Sequence, residues 1–163
     1  MSGKAYNTYW EGEVVAIYIA PAADVPMQAL EEARLVEGRG IEGDRYYLGT
    51  GTHSNDGEPC YEVTLVESEA IEALQHEYKI DCQASTPRRN IVTRGFSLNH
   101  LVDREFTIGE VRLRGIALRE PCPHLIETTH HKIAVGLMHR GGLGAKIVSG
   151  GTIRQGDRIS EVQ

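Results

Sequence analysis

The chain has 163 residues, with 17 Lys and Arg against 23 Asp and Glu, which gives a formal net charge of -6. This length predicts one domain that can bury a sizeable apolar core. The acidic balance disfavours nonspecific binding to nucleic acid or to an anionic membrane surface. The sequence has neither a signal-peptide pattern nor an apolar run long enough to span a membrane, so we expect a cytoplasmic protein.

Seven segments are predicted to form strands, because most of them are rich in β-branched residues and are bounded by Gly, Asn or Asp. They cover residues 13–20, 61–66, 90–93, 105–109, 110–120, 144–149 and 158–162. The alternation of apolar residues around Gly109 and Glu110 predicts a hairpin with a short turn. Residues 150–159 predict another tight reversal, and residues 49–60 have the composition of a loop.

One helix is predicted over residues 67–79, with Ser68 as its N-cap and a face of apolar residues at helical spacing. Residues 27–38 fit either a helix or a strand. The sequence therefore predicts a mostly β protein with one or two helices. A closed or nearly closed barrel is the economical way to hide so many strand edges.

The segment GRGIEGDRYY, residues 38–47, combines three glycines with Arg39, Asp44 and Arg45. Glycines permit close backbone approach, so this loop could cradle an anion. It could equally be a tight turn in which Asp44 and Arg45 form internal hydrogen bonds. The spacing alone leaves both interpretations open.

Two arginines and an amide precede an apolar strand in the segment TPRRNIV, residues 86–92. Arginine is suited to bidentate recognition of phosphate. Adjacent side chains on a strand point to opposite faces, so we expect at most one of Arg88 and Arg89 to enter a given pocket. Asn90 could contribute a polar contact there.

Cys122 lies between Pro121 and Pro123, with His124 two positions later. The prolines restrict the backbone and bias the residues before them toward extended geometry, which fixes the direction of the thiol. A protonated imidazole would favour the thiolate, whereas Glu120 would oppose it if the carboxylate shares that face. Cys122 could also be a small buried apolar residue, the interpretation we apply to Cys60 and Cys82. Three widely spaced cysteines predict reduced thiols rather than disulfides.

A glycine-rich segment covers residues 139–157, and Arg140 directly precedes a glycine pair. Arg140 is the candidate for ligand contact in this segment, and most of the glycines are expected at turns and bulges. His130, His131 and His139 lack the partner spacing of a metal site, so no tightly bound zinc is expected. Motifs of serine hydrolases and P-loop enzymes are absent from the sequence.

Five stretches in a fixed order resemble the MOSC domain, the family named after the C-terminal domain of molybdenum cofactor sulfurase. They are GRGIEGDR, VTLVESEAIEAL, PRRNIVTRG, FTIGEVRLRGIALREPCPHL and HRGGLGAKIVSGGTIRQGD. The resemblance covers residues 12–160 as a single MOSC domain of the small stand-alone bacterial type. It implies a barrel fold of the pyruvate-kinase β-barrel type.

The resemblance also implies a role for Cys122, which takes the place of the family's cysteine. In the family this thiol either carries sulfur received from a pyridoxal-phosphate-dependent cysteine desulfurase or binds molybdenum directly in a molybdopterin cofactor. The candidate cofactor-binding residues are Arg39, Asp44, Arg45, Arg88, Arg89, Asn90, His124 and Arg140. Among them, Arg39, Arg45, Arg88 or Arg140 is expected to meet the pterin phosphate, and Asn90 the pterin.

Three functions follow from different classes. The first is binding of the molybdenum cofactor, carriage of sulfur, or both, with a cysteine desulfurase or a molybdenum enzyme as partner. The second is a molybdenum-dependent reductase of N-hydroxylated compounds, which needs an electron donor. The third is a regulatory binding module without catalysis. The sequence offers no counterpart of the N-terminal barrel region of larger reductases, which favours the first function.

Overall fold

Eleven strands and four short α-helices form the part of the chain that the computed structural model describes, residues 11–51, 62–129 and 131–162, without the side chains of His124 and Thr128. The strands are β1 Glu11–Ile19, β2 Gln28–Leu30, β3 Glu32–Val36, β4 Gly40–Ile41, β5 Val63–Glu67, β6 Ile91–Arg94, β7 Glu105–Ile108, β8 Val111–Leu118, β9 Leu143–Ser149, β10 Gly151–Arg154 and β11 Arg158–Glu161. The helices are α1 Arg45–Leu48, α2 Ser68–Tyr78, α3 Pro123–Thr128 and α4 His131–Gly136. Cys60, His130 and most of the loop predicted at 49–60 lie outside the described residues.

Seven strands close into a barrel in the order β1, β6, β5, β9, β8, β7 and β11, and β11 pairs back to β1. Neighbouring strands are antiparallel except β5 and β6, which are parallel. The short strand β2 extends this sheet by pairing with the end of β1, and the barrel interior is filled by residues such as Ile17, Leu65, Phe106 and Leu113. The mostly β barrel predicted from the sequence is confirmed, with four short α-helices among the described residues where one or two were expected.

Three local predictions can be compared with the strands. The hairpin at Gly109 is confirmed, because Ile108 pairs with Val111 and Gly109 adopts a φ of 55° that suits the turn. The ambiguous segment 27–38 forms β2 and β3, and buried Ala33 and Leu35 alternate with exposed neighbours. The chain does turn between β10 and β11, but the two strands do not form a hairpin because they belong to different sheets.

Helix α2 covers the outside of the barrel and forms a second apolar layer. Its buried side chains Ile71 and Leu74 pack with Leu125, Ile133 and Leu137 from the region of α3 and α4. The N-cap prediction was off by one residue, because Glu67 caps the helix and Ser68 is already its first residue. Among the described residues, no helix is both long and apolar enough to cross a bilayer.

Glu67 lies where β5 ends and α2 begins, and burial raises the pKa of its carboxyl group. A backbone hydrogen bond from Leu98 and the charge of Arg140 act in the opposite direction. The folded state therefore binds the proton more tightly than the unfolded state does. As a result, the free energy of unfolding falls when the pH rises above 4.5, the ordinary pKa of this group, and it continues to fall until the pH has passed the folded pKa. Ionisation of this carboxyl group therefore costs the folded state stability above the ordinary pKa.

We expect Glu67→Gln to raise the Tm at pH 7 and to leave it close to that of the unmodified chain at pH 4. The amide is neutral at both pH values and can still accept the hydrogen bond from Leu98. Thermal unfolding followed by circular dichroism checks this, with exposed Glu77→Gln on the same helix as the control. A lower Tm at pH 7 for Glu67→Gln alone would contradict it.

Candidate functional site

The candidate site lies where β8 leaves the barrel and the chain enters α3. Cys122 is the N-cap of α3, with extended backbone angles of φ -95° and ψ 162°, and Pro123 occupies the first turn of the helix. Proline is favoured at that position because its missing N–H has no helical partner there. The two prolines therefore do different things: Pro121 restricts the approach to the cysteine, and Pro123 begins a helix.

The thiol of Cys122 is half-buried and packs against the apolar layer beneath α2, α3 and α4. Cys82 differs, because it is only 1% exposed and burial raises the pKa of its thiol. Both are free thiols. Of these two cysteines, Cys122 is the one that a reagent or ligand can reach, and Cys82 is a core residue.

Arg89 is buried next to this thiol and connects two parts of the chain. Its Nε donates a hydrogen bond to the carbonyl oxygen of Gly141 at 2.8 Å, and its Nη2 lies 3.5 Å from the carbonyl oxygen of Arg119. Burial lowers the pKa of Arg89 to about 10, and the charge of Arg119 acts in the same direction. A negative charge on Cys122 counteracts both effects. The buried guanidinium of Arg89 therefore lies within electrostatic reach of the thiol.

A glycine pair lets the backbone close around Arg89. A Cβ atom on Gly141 would lie 2.3 Å from the carbonyl oxygen of Arg119, and one on Gly142 would lie 2.1 Å from that of Leu65. Gly142 also has a φ of 120°, which side chains rarely tolerate. These two glycines therefore permit the close approach of three segments, a role beyond the turns and bulges predicted for them.

Arg88 and Arg89 do point to different partners, but strand alternation is not the reason. Both residues precede β6, and Arg88 has a left-handed φ of 58°. Its guanidinium donates to the carbonyl oxygens of Ala23 at 2.6 Å and Val25 at 2.8 Å. Arg88 thus holds the loop after β1, while Arg89 reaches the surroundings of Cys122.

Positive charge accumulates between these arginines. Burial lowers the pKa of Arg88, and the charge of Arg45 lowers it further. The charge of Arg45 also acts on Arg89 in the same direction. Arg45 is itself buried and bound to the carboxylate of Asp44 at 3.0 Å. Arg45 therefore lies within electrostatic reach of both Arg88 and Arg89, and the carboxylates of Asp24 and Asp44 oppose its effect on Arg88.

Two of the candidate cofactor contacts are occupied within the protein. Asp44 is fully buried and accepts hydrogen bonds from the backbone of Ala20 and Tyr46 as well as from Arg45. Asn90 is also fully buried, and its side chain joins Thr64 on β5 to the carbonyl oxygen of Tyr18 on β1. Their hydrogen bonds hold the barrel and α1 together. The tight turn with internal hydrogen bonds is the geometry that residues 38–47 adopt.

The remaining candidates are less closely connected to the thiol. Arg39 is exposed and lies over the ring of Tyr47, 4.0 Å from its centroid. Arg140 is half-buried beside the glycine pair, where its charge lowers the pKa of Glu67. The side chain of His124 lies outside the described residues.

Sequence reasoning missed two features next to Cys122. Arg119 acts electrostatically on Arg89, and its position three residues before the cysteine was the available signal. Glu120 binds His139, accepting a hydrogen bond from its backbone N–H at 3.0 Å and lying 3.2 Å from its Nδ1. The two partners are 19 residues apart, so no local pattern indicates their contact.

Comparisons with known proteins were made for sequence and for structure. The sequence profile of the MOSC domain matches residues 52–160. No curated protein sequence matches the chain. The crystal structure of the YuaD protein from Bacillus subtilis is similar, with a TM-score of 0.76 and 14% identity over 96% of this chain and 99% of that one.

Two further crystal structures share the fold. They are YiiM from Geobacillus stearothermophilus, with a TM-score of 0.69 and 12% identity over 93% of this chain and 75% of that one, and YiiM from Escherichia coli, with a TM-score of 0.64 and 16% identity over 93% of this chain and 70% of that one. At these identities the likeness shows the fold alone.

Proposed function

This chain belongs to the MOSC domain family, and on that premise we propose that it binds the molybdenum cofactor, carries sulfur on Cys122, or does both. One observation supports the proposal most directly. The half-buried Cys122 thiol lies within electrostatic reach of the buried guanidinium of Arg89. A buried cation near the thiol suits an anionic ligand there, and cysteine binds metals and attacks sulfur through its thiolate form.

The residues present fit a ligand that combines a soft metal with a phosphate. Cys122 would supply the thiolate, and the guanidinium groups of Arg45, Arg88, Arg89 and Arg119, which act on one another electrostatically, suit an anion nearby. Arg89 and Arg119 are the residues that we assign to the phosphate, since they are next to the cysteine. When bound, the molybdenum would supply two-electron redox chemistry.

Sulfur carriage would need only the chain's own thiolate and a persulfide donor. The Cys122 thiolate would attack the outer sulfur of a cysteine desulfurase persulfide. One S–S bond would form at Cys122 as the S–S bond of the donor breaks, and the donor would leave as a thiolate. The guanidinium of Arg89 would then lie near the negatively charged persulfide.

Metal analysis of protein purified without oxygen from a host that makes the cofactor tests cofactor binding. We expect molybdenum in the purified protein, together with a pterin that becomes fluorescent on oxidation. The loss of both after mild denaturation would show that the folded site holds them. Absence of both, with cofactor synthesis in the host verified by another molybdenum enzyme, would rule out this part of the proposal.

Replacement of Arg119 by glutamine tests the assignment of the phosphate. We expect Arg119→Gln to retain roughly tenfold less cofactor, because a charge-assisted hydrogen bond contributes about 1.5–3 kcal/mol. Arg112→Gln is the matched control, since Arg112 lies near the start of β8 and pairs with Glu105. Equal retention in both variants and the unmodified chain would place the phosphate elsewhere.

A further inference from the structure

A cavity of about 590 Å³ opens directly beside the segment that carries Cys122. Its walls are apolar and consist of Pro121, Ile126, Ala134, Val135 and Met138. Three of these side chains are exposed although they are large and apolar: Ile126 at 42%, Val135 at 53% and Met138 at 55%. Cavities of about 300–1,000 Å³ with apolar walls and a few polar groups are typical of small-molecule sites.

The polar groups at the rim are Glu120, His131 and His139. A carboxylate can only accept hydrogen bonds, so the Nδ1 of His139 must carry the hydrogen that it shares with Glu120. In the neutral imidazole this leaves Nε2 as an acceptor. Glu120 uses two of its roughly four acceptor positions on His139, and no other described residue is bonded to the remaining ones.

The cavity differs in charge from the surroundings of Arg89. Neither Arg89 nor Arg119 lines it, whereas the carboxylate of Glu120 does and makes its rim rich in acceptors. An anionic ligand is therefore not favoured at this rim. A ligand of the cavity has to bring an apolar body for the walls and a hydrogen-bond donor for Glu120 and His139.

We propose that this cavity is a second binding site, which takes a small organic molecule with an apolar body and a donor head group such as a primary amine. The site brings that molecule next to Cys122 without using the residues assigned to the phosphate. A role for the bound molecule in the chemistry of Cys122 rests on the proposed function, but binding itself does not.

Calorimetric titration of cofactor-free protein with octylamine, octan-1-ol and octanoate tests the proposal. We expect all three compounds to bind, with affinities that decrease in that order, and we expect octylamine to bind at least about tenfold more tightly than octanoate. No binding of any of the three would overturn the site, and octanoate binding as tightly as octylamine would overturn the head-group assignment. Because no molybdenum is present, these results are independent of the cofactor analysis.

Two variants locate the bound molecule. Val135→Arg should weaken the binding of octylamine at least tenfold, because it places a cation on the cavity wall. Val148→Arg should leave that binding unchanged. Val148 is the matched control because it is 37% exposed on β9 and does not line the cavity. Glu120→Gln should remove the preference for octylamine over octanoate and keep the binding of octan-1-ol. Equal losses in the two valine variants would show that the alkyl chain binds elsewhere.

Discussion

Asp44→Ala should lower the free energy of unfolding by about 3–5 kcal/mol, the usual cost of leaving a buried charge without its partner. The carboxylate is fully buried and holds the guanidinium of Arg45, which is 5% exposed. It also caps α1 through Tyr46 and accepts from Ala20. Because whole domains are stable by only about 5–15 kcal/mol, urea denaturation should show the loss as a clearly lower midpoint.

Two comparisons isolate the buried charge. Asp81→Ala, which removes an exposed carboxylate, should change stability little. The double variant of Asp44→Ala with Arg45→Met should be more stable than the sum of the two single losses predicts, because no unpaired guanidinium remains. If the free energy of unfolding of Asp44→Ala lay within about 1 kcal/mol of that of the unmodified chain, Asp44 would not be needed for stability and would be available for another role.

The sequence was informative where local pattern decides the structure. Alternating apolar residues predicted most strands, and the turn at Gly109 followed from a residue that accepts positive φ. The number of strands then favoured a closed barrel, which the pairing of β11 with β1 provides. Helices α3 and α4 were missed because six residues make fewer than two turns and show almost no period.

The partners of the arginines could not be predicted because they depend on contacts far apart in the chain. Arg88 meets carbonyl oxygens more than 60 residues away, and Arg89 meets one 52 residues away. The pattern around Arg88 and Arg89 indicated two guanidiniums but not which one would lie near Cys122. For Asn90 and Asp44, burial decides the role, since a fully buried polar group needs internal partners.

Cys122 is the residue whose replacement should have the largest effect on function. Cys122→Ser should keep the fold, because the residue is only half-buried at a helix start and serine is a good N-cap. It should abolish molybdenum retention, persulfide formation or both, because a hydroxyl is a poor ligand for a soft metal and cannot carry sulfane sulfur. Circular dichroism and thermal unfolding establish that the variant is folded.

The two roles of Cys122 can be separated without molybdenum. Protein incubated with a cysteine desulfurase and free cysteine should gain about 32 Da, one sulfur atom, if Cys122 is a carrier. Cys82→Ser is the control for both assays, because the Cys82 thiol is buried and burial raises its pKa, so this variant should match the unmodified chain. No mass gain, together with molybdenum retention that needs Cys122, would identify a metal ligand rather than a carrier. If Cys122→Ser matched the unmodified chain in both assays, the thiol would be no more than part of the apolar layer on which it packs.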